Sequence, residues 1–273
     1  MKTIFLGMMV VCSIALFSWN VDAIQDESLV LYLPFDEGEG TSTRDLSMNG
    51  HTTTLVGKGV KWVNEGKFAN ALEFTGFKGH VEVADHDNLS LDIGDKGSFT
   101  IMAWIFPKVV NKEFYSVIDK TYFKEGGLVW DNTPTYRLSI TNKNQLAFQS
   151  RAENATGNGP EIQPKKWYHV AGVQDDRRAN KRVLYVNGES AEEIDLVPKV
   201  DAKETGLKIG GRNWVGGGVQ QWFKGIIDEV ALYSTALTEG EIKRAMRGSL
   251  KRFYAVESSG KIAVTWGSIK AGD

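Results

Sequence analysis

Near the carboxy end the chain runs Phe223-Lys224-Gly225-Ile226-Ile227-Asp228-Glu229-Val230-Ala231-Leu232-Tyr233, nearly unbroken in apolar and β-branched residues. Strict alternation of apolar and polar residues would mark a strand wetted on one side. This run, interrupted only by Asp228-Glu229, predicts a strand covered on both faces. Thr238-x-x-Glu241 follows, a capping box whose hydroxyl and carboxylate satisfy the orphan backbone donors of a helix start. A helix over Thr238–Arg247 is expected, with Lys243, Arg244 and Arg247 in its last turn and Gly248 as a left-handed stop.

Elsewhere short apolar runs alternate with Gly, Asn and Asp clusters. Strands are predicted at Ser28–Phe35, His51–Val56, Ala71–Phe74, Val81–Val83, Phe99–Phe106, Phe114–Lys120, Leu128–Trp130, Tyr136–Ile140, Gln145–Ser150, Trp167–Val173, Arg182–Val186 and Leu207–Gly211. Asn187-Gly188 is the best hairpin turn. One helix among so many strands excludes a Rossmann or α/β-barrel fold and makes the chain all-β.

Lys2 ahead of the apolar run Ile4–Leu16, with small residues at Val21-Asp22-Ala23, reads as a secretory signal over residues 1–23. The run is short for a membrane anchor, and polar Ser18, Asn20 and Asp22 follow at once. A domain over 24–248 and a tail over 249–273, an extra strand or a surface strap, complete the organisation. The expected location is secreted, extracellular or cell-surface, or periplasmic in a Gram-negative cell. Cys12 is the sole cysteine, so the processed chain has no disulfide and draws its stability from its core, with or without a metal. A net charge of −2 without a basic run argues against a nucleic-acid partner, and no later apolar run reaches membrane-spanning length.

Several segments together carry a family likeness. They are Tyr32-Leu33-Pro34-Phe35-Asp36-Glu37-Gly38, Asp45-Leu46-Ser47-Met48-Asn49-Gly50, Gly66 to Phe74, Ser98 to Ile105, Trp167-Tyr168-His169-Val170-Ala171, Leu184-Tyr185-Val186-Asn187-Gly188 and Gly225-x-Ile-Asp-Glu-Val. In this order they resemble the laminin-G-like domains of the concanavalin A-like lectin/glucanase family. The resemblance implies a two-sheet antiparallel jelly-roll sandwich with one short carboxy-terminal helix, first and last strands side by side, and a role in binding. It also implies a structural calcium, which relatives often hold. Asp36, Asp45, Asn49 and Asp228 supply the hard oxygen donors calcium requires. Against this, Asp45 and Asn49 can simply close an Asx-type turn, and Asp228 can cap backbone donors.

Catalysis has little support. Glu193-Ile194-Asp195 resembles the paired carboxylates of laminarinase-type glucanases, but the third acid is missing and a solvated edge strand is expected after the Asn187-Gly188 turn. His80 and His86 flank Glu82, Asp85 and Asp87 without zinc spacing, and His169 reads as packing. Aromatic side chains are the better guide, because sugar rings lay their C–H faces on aromatic planes. Trp104, Trp167 and Trp62 fall in core-like strands. Trp214 instead sits in the glycine-rich stretch Gly210–Gly218 beside Arg212 and Asn213, a ligand-binding constellation. Tyr122, Trp130 and Tyr136 flank a second polar loop containing Asp131 and Asn132; these aromatics can equally lie flat on the sandwich. The expectation is a non-enzymatic module that takes a glycan or glycoprotein on a rim of loops. A protein-adhesion module for an extracellular protein and a divergent glycosidase are the alternatives.

Overall fold

A computed structural model describes residues 24, 26–85, 90–121, 134–150, 159–196, 206–213, 219–252 and 254. The closing run forms β16 (Lys224–Tyr233), every residue of which after Lys224 is buried. It pairs antiparallel with β6 (Phe99–Pro107) along one edge. Along the other it pairs end to end with β1 (Leu29–Leu33) and β4 (Ala71–Thr75). Tyr32 faces Ala231 and Leu33 faces Val230, so the first and last strands are neighbours, as expected. At Asp228-Glu229 the register with β6 slips and Glu229 takes φ 53°, a bulge that turns two carboxylates out of the regular ladder.

Beyond β16 and β6 the first sheet continues through β10 (Tyr168–Asp175), β11 (Lys181–Val186) and β12 (Glu189–Asp195) on one side, and through β4 to β3 (Val60–Val63) on the other. Asn187 and Gly188 both hold positive φ, 53° and 81°, the conformation a two-residue Asn-Gly hairpin needs. The second sheet runs β2 (Thr53–Val56), β5 (His80–Val83), β13 (Leu207–Ile209), β7 (Tyr115–Thr121), β8 (Pro134–Ile140) and β9 (Leu146–Ser150). A small hairpin, β14 (Arg212–Asn213) with β15 (Val219–Gln220), and a four-residue helix α1 (Ile93–Lys96) complete the connections. The expected strand over Leu128–Trp130 lies outside the described residues.

The core fills the space between the sheets with Leu31, Phe74, Phe99, Ile101, Tyr115, Leu138, Phe148 and Ile227, among others. Alternation explains the second apolar layer. β6 sends Phe99, Ile101 and Ile105 inward and Met102 outward, where Met102 meets Ala171, Ala231 and Tyr233. The helix α2 (Glu239–Ala245) covers that outer layer with Ile242, helped by Leu237 and Leu250. This is why β16 needs apolar residues on both faces. Thr238 caps α2, and the box with Glu241 is complete. The expected Gly248 stop is not used: the helix ends at Met246 in right-handed geometry, its N–H bonded back to Ile242. The chain instead turns into a second short helical stretch at residues 250–252, neither the expected strand nor a strap, that delivers Leu250 to the outer layer.

Candidate functional site

Asp45, Asn49 and Asp228 of the expected calcium set each have internal partners. Asp45 is buried and already accepts the backbone N–H groups of Tyr32, Ser47 and His51, each at 2.9 Å. The Ser47 hydroxyl at 2.8 Å and His51 Nδ1 at 2.7 Å also contact it. Burial pushes its carboxyl up, but these contacts outweigh burial and leave it below the usual range. Asn49 spends its amide on Val30 O at 2.8 Å. Asp228 accepts from Lys67 N at 2.8 Å and Glu229 N at 2.9 Å, while burial first and Glu229 second raise its carboxyl to about 8. Asp36 is likewise raised by burial. Among the described residues no group of three or more acids, histidines or cysteines could hold a metal. The turn-and-cap alternative is what these side chains do.

Of the expected ligand-contacting residues, Tyr136 belongs to the core and is corrected. Its alternation partners Leu138 and Ile140 point inward with it, its ring packs 5.6 Å from Phe99, and its hydroxyl donates to Leu91 O at 3.0 Å. Arg212 is buried, and Asn213 closes β14. Tyr122, Trp130, Asp131, Asn132 and Trp214 lie outside the described residues. Glu193 and Asp195 stand on the exposed edge strand β12, where Glu193 pairs with Lys181.

What the fold does assemble is a cleft of about 370 Å³ at one rim, lined by Gly76, Glu113, Phe114, Tyr115, Gln221, Trp222 and Lys224. These come from the turn after β4, the approach to β7 and the entry to β16. Gln221 holds φ 52°, and its carbonyl accepts the N–H of Ser116 at 2.8 Å. Beyond that kink Phe223 enters the core edge-on to Phe74, while its neighbour Trp222 lines the cleft. Gly76 has φ 80°, and a Cβ there would fall 2.0 Å from Lys224 Cγ, so glycine is required beneath the lysine stem. The stem carries its ammonium to Glu113 Oε2 at 3.1 Å, with the Tyr115 ring 5.6 Å away. The Tyr115 hydroxyl donates to the same carboxylate oxygen at 3.2 Å. Lys224 holds the Glu113 carboxyl below its usual range. Phe114 is 44% exposed and Phe77, next to Gly76, is 64% exposed, an unusual apolar display for a loop end.

Behind Trp222 the His80 ring lies 5.8 Å away, and neither of its nitrogens has a hydrogen-bond partner among the described residues. Burial, then Lys208, lowers its pKa to about 4, so it is neutral at pH 7. Glu82 follows on β5 and begins a polar row. Register places Thr54, Glu82, Lys208, Asp119, Arg137 and Gln149 opposite one another across all six strands, on the face turned away from the core. Lys208 pairs with Glu82. Arg137 donates to Asp119 Oδ2 at 2.6 Å and to Gln149 Oε1 at 3.0 Å. From Lys208 to Gln149 the row is buried and internally paired, which suits a clamp on the sheet rather than a ligand surface.

Trp222, Phe114 and Glu113 were not singled out by sequence reasoning. The available signal is parity: Trp222 next to core-facing Phe223 must point the other way.

Known proteins fit this picture. A family model described as concanavalin A-like lectin/glucanases superfamily (Laminin_G_3) matches residues 75–243. No curated protein matches the sequence. Among solved structures, Trypanosoma rangeli sialidase in complex with 2,3-difluorosialic acid is similar with TM-score 0.61 and 18% identity, over 83% of this chain and 34% of that one. Domain 4 of AbnA, a GH43 extracellular arabinanase from Geobacillus stearothermophilus, in complex with arabinotriose, gives 0.56 and 18% over 81% and 98%. The binding domain of botulinum neurotoxin DC in complex with rat synaptotagmin II gives 0.58 and 17% over 83% and 52%. The chain thus spans about a third of the sialidase but nearly all of the arabinanase domain. At these identities the likeness is one of fold. No helix among the described residues is long and apolar enough to cross a membrane.

Proposed function

The chain belongs to the concanavalin A-like lectin/glucanase superfamily, and on that premise we propose that it is an exported, non-catalytic module that binds carbohydrate at the rim cleft of Phe114 and Trp222. The carrying observation is the pairing of an exposed ring, Phe114, and a half-buried one, Trp222, with fixed polar groups in one concave site. Aromatic planes take the C–H faces of a sugar ring, while Glu113, Lys224 and Gln221 offer donors and acceptors for its hydroxyls. The arabinanase domain, covered almost end to end, was solved with arabinotriose, so arabino-oligosaccharides are the first ligands to try. The edge location of Glu193 and Asp195 favours a binding role over glycoside hydrolysis.

The test is calorimetry and a glycan screen with the processed chain, Trp222→Ala and Phe114→Ala. Each substitution is expected to weaken binding at least tenfold, about 1.4 kcal/mol, without moving Tm by more than a few degrees. Trp214→Ala, run alongside, tests the glycine-rich loop. Binding untouched by Trp222→Ala would remove the cleft from consideration. The exposed Phe77 and Phe114 favour a second reading, a protein-docking module. An empty glycan screen, with a protein partner whose binding is lost in Phe114→Ala, would select it.

A further inference from the structure

Two charged side chains line the rim cleft, Glu113 and Lys224, and they are not equally available. The Lys224 stem is pinned over Gly76, its ammonium is bonded to Glu113, and it lies over the Tyr115 ring. Its side chain is 30% exposed, against 56% for Glu113. The cation is therefore held by the carboxylate, and the more exposed charge at the mouth is Glu113. A carboxylate has about four acceptor positions. Lys224 engages Oε2, the Tyr115 hydroxyl is shared between Asn111 Oδ1 and Oε2, and Asn111 also bonds the carboxylate; the acceptor positions that remain are open to a sugar hydroxyl. A second carboxylate brought into the cleft would meet Lys224 already paired with Glu113, the more exposed of the two.

We infer that Glu113 is a specificity-determining residue that restricts the cleft to neutral sugars and rejects uronic and sialic acids. The inference rests on the reading of the cleft as a sugar site. One like charge on the order of 5 Å away in a partly screened site weakens binding roughly tenfold. Two further features act in the same direction. Trp222 and Phe114 attract the C–H faces of a neutral ring without regard to charge, so they supply affinity but no discrimination. His80, behind Trp222, is neutral and offers no cation to compensate an acidic ligand. Lys78, the next nearest cation along the turn, lies over the Phe77 ring at 5.1 Å.

The experiment compares a neutral oligosaccharide with the uronic-acid oligosaccharide of the same linkage and length, titrated calorimetrically into the processed chain, Glu113→Gln and Trp222→Ala. The processed chain is expected to prefer the neutral ligand by tenfold or more. Glu113→Gln, which keeps shape and hydrogen-bonding capacity, is expected to narrow that ratio to within about threefold by strengthening the acidic ligand. High salt narrows the ratio in the unsubstituted protein, because a charge effect is screened. Trp222→Ala weakens both ligands together. A ratio near one in the unsubstituted protein, or an unchanged ratio in Glu113→Gln, overturns the role of Glu113 while leaving the cleft as a sugar site. Failure of every sugar to bind overturns the cleft itself and the inference with it.

Discussion

Replacing Asp228 by Asn should flatten the alkaline side of the stability profile. Asp228 sits in the β16 bulge, fully buried, with burial and then Glu229 raising its carboxyl from 3.8 to about 8. In the unfolded chain this group is ionised above about pH 4. Between there and pH 8 the folded state holds a proton that the unfolded state has released. Unfolding free energy therefore falls by about 1.4 kcal/mol per pH unit until the folded group ionises. Other groups confine the clean window. Glu229, raised by burial to about 7, adds a fall of the same sign only below that pH. His80 and His169, lowered by burial to about 4 and about 3, act oppositely, because the unfolded state binds their protons below about 6.5. From pH 6.5 to 8 Asp228 dominates, and the expected loss is about 2 kcal/mol, or roughly 4–8 °C in Tm for a domain of this size. Asn keeps the shape but loses an acceptor for Lys67 N, so Asp228→Asn is less stable at pH 6.5. The slope is the readout. Differential scanning calorimetry in matched ionic strength should show the fall in the unsubstituted protein and less than half of it in Asp228→Asn. Equal slopes, or none in the unsubstituted protein, would refute the buried-acid account.

The polar row across the second sheet makes a second prediction. Arg137→Met strands the buried Asp119 carboxylate and should cost about 3–5 kcal/mol in urea unfolding; adding Asp119→Leu should restore a good part of it, and additive losses would deny the pairing. Because Asp45, Asn49 and Asp228 are committed to internal partners, neither a strong chelator nor added calcium should move Tm by more than about 1 °C, within the scatter of a few tenths of a kcal/mol. A calcium-dependent rise of several degrees would falsify that assignment.

The fold was legible where the signal is local or periodic. The double-faced burial of β16, the Thr238–Glu241 cap and the Asn187-Gly188 hairpin each follow from a few adjacent residues. The adjacency of β1 and β16 came with the family likeness. The site was less legible because it is not local. Glu113, Gln221 and Gly76 are joined only by the way the strands return to one rim. Parity argued consistently would have kept Tyr136 out of the candidate set, since Leu138 and Ile140 share its side of β8. The internal partners of the calcium set are not local either. The donors that saturate Asp45 include the N–H of Tyr32, thirteen positions away, and composition does not reveal that partner.

On the proposed reading of the cleft, stability and recognition occupy different parts of this molecule. The buried charges, namely the Asp228–Glu229 bulge and the Lys208-to-Gln149 row, lie within sheets where desolvation makes every lost partner expensive. The cleft groups, Glu113, Phe114 and Trp222, sit where strands end and solvent screens them, so substitution there changes affinity with little effect on folding. A sandwich closed by its first and last strands can hold such a rim rigid without a disulfide. The cleft residues can therefore be exchanged singly and their effects read as binding free energies.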